Sequence, residues 1–302
     1  MHRAPRLVAA FLLAAGVATI HPAPPLMASA PRPAEPAQTV PQSPLKAAAS
    51  TTADNRFRNT DAQAEQQLLV LANQARQEAG AEPLTPDAGL SQAARTHAQA
   101  MLEAQKLSHQ FDGEPSLPQR LAATTDLLLD QEGENVALDY DAVDGHKHLM
   151  LSPPHRANLL NPAYNVVGLG VVRSGDRLYI VQDFGHALPA YTVTELKDRI
   201  GEAVNQTRRL ASQPELQRRD LLIADSTACS MAEADKVGTA PVRKLAERFT
   251  VLTYTSLHPE TLPSGAAHAI ASRTLHNFSI GACYARTETY PTGVYWVVLS
   301  LE

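Results

Sequence analysis

Two histidines and a glutamate, each in a short polar segment, are the residues of this sequence best suited to chemistry. They are His109 in Leu107-Ser108-His109, Glu134 in Gly133-Glu134-Asn135-Val136-Ala137, and His155 in Ser152-Pro153-Pro154-His155-Arg156-Ala157-Asn158. Two neutral imidazoles and a carboxylate suit a borderline divalent ion such as Zn²⁺ and leave a position open for water. A metal-bound water, or a Glu134–His pair, would then serve hydrolysis. The same side chains would equally hold a small ligand, or form a hydrogen-bonded cluster that only orders loops. The chain contains neither a Gly-x-Ser-x-Gly elbow nor a His-Glu-x-x-His pair, so no activated nucleophile is legible. His97 lies on the apolar face of a helix and reads as a core histidine. His148, four residues before Ser152, either adds a ligand on the same helical face or sits exposed beside His146 and Lys147. Arg156 and Asn158 are expected to fix their loop by backbone hydrogen bonds, and Gln182 and Asp183 face either the cavity or solvent.

The elements that must position these residues follow from periodicity. Thr60-Asp61-Ala62-Gln63 has capping-box form, and Leu68, Ala72, Ala75 and Ala79 recur at helical spacing before Gly80. Thr85-Pro86 offers a cap with proline at the first helical position, and Leu90, Ala94, His97 and Met101 mark a second helix ending near Leu107. Residues 108–161 are less periodic and rich in Asp, Gly, Pro and His, so they read as loops that carry the site. Two β-rich runs, 166–172 and 178–184, flank the turn Arg173-Ser174-Gly175-Asp176 and predict a hairpin.

The N-terminus has a basic start and an apolar run from Leu7 to Ile20, the pattern of a secretory signal peptide, with 1–30 as leader. That run is shorter than the ~20 residues of a spanning helix, so no transmembrane segment is expected in the mature protein. The alternative is an uncleaved N-terminal anchor. Residues 31–59, rich in Pro, Ala, Ser and Thr, read as a flexible linker. Beyond residue 60 the chain holds 20 Lys/Arg against 29 Asp/Glu, and this acidic balance excludes a nucleic-acid partner. A helical stretch from 190 to 209 starts the chain again. Residues 98–107 align with 228–237, the strand at 167–170 with 280–283, and 178–181 with 294–297, so 190–302 reads as a shorter, diverged copy of the first unit. In that copy Thr239 stands where His109 is, so it is expected to be metal-free. Cys229 on its helix and Cys283 on its strand are expected to form a disulfide, with two free thiols as the alternative.

Taken in order with Tyr179-Ile180-Val181-Gln182-Asp183-Phe184-Gly185 and the opening Leu71-Ala72-Asn73-Gln74-Ala75-Arg76, the three histidine and glutamate segments resemble the CAP superfamily. That superfamily comprises the cysteine-rich secretory, antigen 5 and pathogenesis-related class 1 proteins; the likeness is to its bacterial secreted SCP-domain branch, over about residues 62–186. The resemblance implies an α+β fold, a three-layer α-β-α sandwich over 60–188. It also implies a cavity in which His109, Glu134 and His155 are the metal or ligand residues, with zinc as the cofactor. The family's second glutamate falls at Ser152, which is kept as a ligand-binding candidate. The expected function is secreted binding of a divalent metal, a small lipid-like molecule or a cell-envelope component. The alternatives are a metal-dependent envelope hydrolase and an adhesion module with a vestigial cavity. Outside the cytoplasm, medium and periplasm are not distinguished.

Overall fold

The computed structural model describes residues 10–12 and 59–302. The leader, apart from residues 10–12, and the linker up to residue 58 therefore lie outside the described residues.

Strand β1 (Ala10–Leu12) pairs with a strand of the second sheet, described below. Helix α1 (Ala62–Glu78) starts at Asp61, whose carboxylate accepts the Ala64 N–H; Thr60 instead makes a β-bridge to Val172. Strand β2 (Thr85–Pro86) takes the residues expected to cap the second helix, and Asp87 caps α2 (Ala88–Ala104) by accepting from Leu90. Helix α2 ends at Ala104, three residues before the expected stop, and its cap residue Gln105 turns left-handed at φ 49°.

The supposed loop region is structured. It contains α3 (Leu117–Ala122), β3 (Leu129–Asp139), α4 (Ala142–Leu151) and α5 (Pro153–Leu159). Strand β3, Leu-Asp-Gln-Glu-Gly-Glu-Asn-Val-Ala-Leu-Asp, escapes alternation because several of its buried positions are polar and serve the site rather than a core. With the hairpin β4 (Val166–Ser174) and β5 (Arg177–Ala187) it completes a sheet in the order β2-β4-β5-β3, which leaves β3 at an edge.

Both faces of that sheet are covered. Leu178, Ile180 and Phe184 of β5 pack under α1, α4 and α5, while Tyr179 and Val181 pack with Ala94, Ala98 and Met101 of α2 on the other side. Glycine is required where helix and sheet meet: a Cβ on Gly170 would lie 2.2 Å from the Ala94 carbonyl carbon.

The second half comprises α6 (Val193–Leu210), β6 (Gln217–Arg218), α7 (Leu222–Glu233), α8 (Ala240–Ala246), β7 (Thr250–Ser256), α9 (Ala266–Ile270), β8 (Asn277–Ala285) and β9 (Val294–Leu301). Its sheet runs β1-β7-β9-β8-β6. With β1 set aside, that is the first sheet's connectivity with β6, β8, β9 and β7 in place of β2, β4, β5 and β3. The pairing corrects the strand alignment by two residues. The short parallel strands set Val166 against Thr85 and Asn277 against Gln217, which makes Gly281 the counterpart of Gly170 rather than of Gly168. Gly281 is pressed on the helix in the same way, its Cβ position 2.0 Å from the Ala224 carbonyl oxygen.

A repeated anchor passes unnoticed in the sequence. Arg76 is fully buried and donates to the carbonyls of Glu82, Leu159, Asn161 and Tyr164 at 2.7–2.9 Å. Arg208 donates likewise to Pro214, Ile270 and Ser272. Asn73 and Asn205, each three residues earlier, bracket the backbone of Leu84 and Leu216. The signal was the shared Asn-Gln-x-Arg at 73–76 and 205–208. Cys229 and Cys283 are joined in a disulfide, as expected. Leu128 of the first half is buried in the core of the second, and Arg286 of the second donates to the carbonyls of Ala122 and Thr125.

Candidate functional site

The site is built around the edge strand β3. Glu134 and Asn135 are successive residues and so point to opposite faces of the sheet, which gives the site a layer on each side.

On the α2 face the Glu134 carboxylate is buried and both its oxygens are used. One accepts from His109 Nδ1 at 2.8 Å, and the other takes a short charge-assisted bond from Arg120 Nη2 of α3. His97 belongs to this layer. It is wholly buried as a core histidine would be, but its Nδ1 meets Glu114 at 2.6 Å, its Nε2 meets the Ser108 carbonyl at 2.8 Å, and Glu134 lies 3.8 Å away. It therefore holds the Ser108-His109 turn in place. Asp183 of β5 faces Glu134 across the strand pair and is fully buried, with no hydrogen-bond partner for either oxygen when both acids are ionised. Burial, reinforced by the Glu134 charge, raises its pKa well above the ordinary value. The protonated form of Asp183 is thereby favoured beside Glu134, on the side of the strand pair that faces Arg120.

On the other face Asn135 donates to the His155 carbonyl and to Gln182 Oε1, and Asn158 donates to the Glu134 carbonyl and to Asn135 Oδ1. Asn158 and Asn135 thereby seat α5 against β3 and bring His155 round the strand edge, its ring 6.4 Å from that of His109. Gln182 and Asp183, whose facing the sequence left open, are both buried, one in each layer. The two imidazoles titrate apart. The Glu134 hydrogen bond raises the His109 pKa, whereas partial burial and the His109 charge lower that of His155.

Among the described residues no three His, Cys, Asp or Glu side chains converge as a metal cage, because Glu134 is turned to His109 and Arg120. Ser152 links α4 to α5 and makes no side-chain cap bond. His148 meets Asp139 at 2.6 Å instead of joining the cluster. Sequence reasoning missed Arg120, Glu114 and β3 itself. No spacing rule connects Arg120 with Glu134, which come together only by folding. In the second half, register places Val251 and Ser300 at the positions of Glu134 and Asp183, so the acidic pair is absent there. Thr239 is buried against Ser230.

Comparison with known proteins agrees with this fold. The profile of the cysteine-rich secretory protein family (CAP) matches residues 69–184. Uncharacterized protein YkwD of Bacillus subtilis is 33% identical over 112 residues, 37% of this chain and 43% of the relative. Uncharacterized membrane protein YlbC of the same organism is 33% identical over 134 residues, 43% of this chain and 37% of the relative. The chain therefore spans less than half the length of these curated relatives. A solved extracellular protein of Bacillus anthracis containing an SCP domain aligns with 46% of this chain and 45% of its own, at 26% identity and a TM-score of 0.38. No helix among the described residues is long and apolar enough to cross a membrane.

Proposed function

This chain carries a CAP domain over residues 69–184, and we propose that the domain works outside the cytoplasm as a binding module in which His109 and His155 hold a divalent cation, zinc being the best match. The observation that carries the reading is the His109–Glu134 bond at 2.8 Å. A carboxylate on Nδ1 fixes the tautomer and leaves Nε2 as the free lone pair, the usual arrangement behind a metal-ligating histidine. His155, kept neutral by its lowered pKa, supplies the second imidazole. Glu134 is then the orienting partner and not a ligand.

Two imidazoles make a weaker site than the three protein ligands of a catalytic zinc centre, and they leave the remaining positions to water or to oxygen atoms of an envelope ligand. When bound, the ion supplies Lewis acidity and an anchor for such an oxygen. The chain's own residues orient the imidazoles, and Arg120 pairs with Glu134. Both Glu134 oxygens are engaged, so the carboxylate is not free to serve as a general base. That favours binding over the hydrolase alternative.

Calorimetry with zinc tests the proposal on the whole chain beside a His109→Ala/His155→Ala variant. One ion per chain, lost in the double variant and weakened by Glu134→Gln, is expected. Equal zinc binding by the wild type and the double variant would overturn the reading.

A further inference from the structure

The two halves differ where the main helix begins. Helix α2 runs from Ala88, and its first turn lays the Leu90 carbonyl group on Gly168, where a Cβ would lie 2.1 Å from the carbonyl carbon. Its counterpart α7 starts only at Leu222, which the helix alignment equates with Gln92. Where that turn is missing, Ser279, the counterpart of Gly168, lines a cavity of about 240 Å³ under the start of α7.

Three independent features converge there. Leu221, the cap residue of α7, supplies no side-chain cap, and of the first N–H groups of this 12-residue helix that of Ala224 turns back to the Leu221 carbonyl, so those of Leu222 and Ile223 are left for a ligand at the positive end of the helix dipole. Arg219 and Arg248 line the cavity with no carboxylate partner among the described ion pairs. Arg219 bonds only the amide oxygens of Asn277 and Gln217, and Arg248 stacks on Phe249. Ser300, 1% exposed, lines the floor, and its hydroxyl has no partner. A buried hydroxyl, two guanidinium groups without a carboxylate partner among the described ion pairs and a helix N-terminus without a side-chain cap together match the oxygens of a phosphate.

The rim narrows the choice. Asp220 and Glu302 also line the cavity, so a simple dianion would meet repulsion, whereas a ligand with an ammonium a few bonds from its phosphate would satisfy both signs. Immediately beside them Leu222 is 96% exposed and Ile223 46%. Large apolar side chains next to arginines, held out by a helix start, suit the boundary between headgroups and acyl chains.

We propose that this cavity is a docking site for a zwitterionic phospholipid headgroup of the phosphoethanolamine kind. The phosphate lies on Arg219, Arg248 and the α7 N-terminus, the ammonium lies on Asp220 and Glu302, and Leu222 and Ile223 enter the lipid surface. The second half then holds the chain at a membrane surface, independently of the histidine pair in the first.

The test uses the whole chain with phosphatidylethanolamine vesicles, and soluble glycerophosphoethanolamine as the competitor. Arg219→Gln/Arg248→Gln is expected to lower vesicle binding by about tenfold or more, and Leu222→Asp by a similar factor. The latter alters only an exposed side chain, so near-ultraviolet circular dichroism should match wild type. The soluble headgroup should shift the amide resonances of Leu222, Ile223 and Ser300. The residues outside the described structure are common to all these proteins, so differences between them report the cavity. Unchanged vesicle binding in both variants, or no amide shift with the soluble headgroup, would overturn the proposal. So would equal displacement by inorganic phosphate, which would leave a free-anion site in place of a lipid one.

Discussion

Glu134 and Asp183 face each other beside Arg120, and the raised pKa of Asp183 yields a prediction with a sign that simple pair-breaking would not give. Removing one partner of a buried ion pair costs about 3–5 kcal/mol, and the side chains of Arg120 and Glu134 are only 5% and 4% exposed. In Glu134→Gln, however, the cause that most reinforces burial in holding the proton on Asp183 is gone, and Arg120 draws the pKa of Asp183 down. Asp183 then ionises, and the buried, unpartnered Nε of Arg120 is available to meet it. The single variant should therefore lose only about 1–2 kcal/mol, the cost of a less favourable geometry. Asp183→Asn should raise stability at neutral pH, because the unfolded carboxyl ionises there while burial and Glu134 disfavour ionisation of the folded one, a cost that Asn does not bear. The double variant removes both carboxyl groups and leaves Glu114, 3.7 Å from Arg120 and already bonded to His97, so it should show the whole penalty of about 3–5 kcal/mol. Urea unfolding of the four proteins at pH 7 measures the coupling, expected at about 2 kcal/mol or more. Additivity within about 0.5 kcal/mol would refute the coupling of the two acids through Arg120. The pH dependence adds a check. The folded pKa of Asp183 is raised, so its contribution is fully present below the unfolded value and is lost as pH rises through the folded one. Asp183→Asn should accordingly gain on wild type as pH increases.

Other consequences are as direct. In an NMR titration His109 should titrate above the ordinary histidine pKa and His155 below it, and Glu134→Gln should bring His109 down. The stability that His109 contributes is present below its unfolded pKa and fades as pH rises through its raised folded one. Arg76→Met leaves four carbonyls without their donor and should cost about 4 kcal/mol or more by denaturant unfolding; a loss below about 1 kcal/mol would mean that water replaces the guanidinium. Gly281→Ala forces a Cβ against the Ala224 carbonyl and should lower stability by about 1–3 kcal/mol, whereas Gly175→Ala, in an open turn at φ 60°, adds no clash and should show only the smaller cost of a left-handed residue. Reduction of the Cys229–Cys283 bridge, which closes a separation of 54 residues, should lower the unfolding midpoint, with a cost of about 2–5 kcal/mol.

Local signals were strong enough to place much of this protein in advance. The spacing of Leu68, Ala72 and Ala75 and that of Leu90, Ala94 and Met101 report helices because one apolar stripe must face a sheet, and Val166 to Phe184 reports a hairpin because its turn residues sit between β-branched runs. The separated His and Glu segments marked the site, since such side chains are seldom kept in a chain of mixed loops without a partner. Cys229 and Cys283 were legible through the repeat, which places their elements against each other.

What the sequence did not determine depends on contacts between distant residues. Strand β3 is masked because its buried positions are polar, and a polar residue is tolerated inside only when folding delivers its partner: Arg120 to Glu134, Asn158 to Asn135. The pairing of Glu134 with that same Arg120, 14 residues away in sequence, is invisible to any spacing rule. The two-residue shift between the halves, and the cavity left where α7 starts late, are set by strand register and helix length together. Types and periods along the chain select the elements, because those depend on neighbours within a few residues. The roles of the charges are settled only in the tertiary structure, because a buried charge takes its meaning from whatever lies within a few ångströms of it.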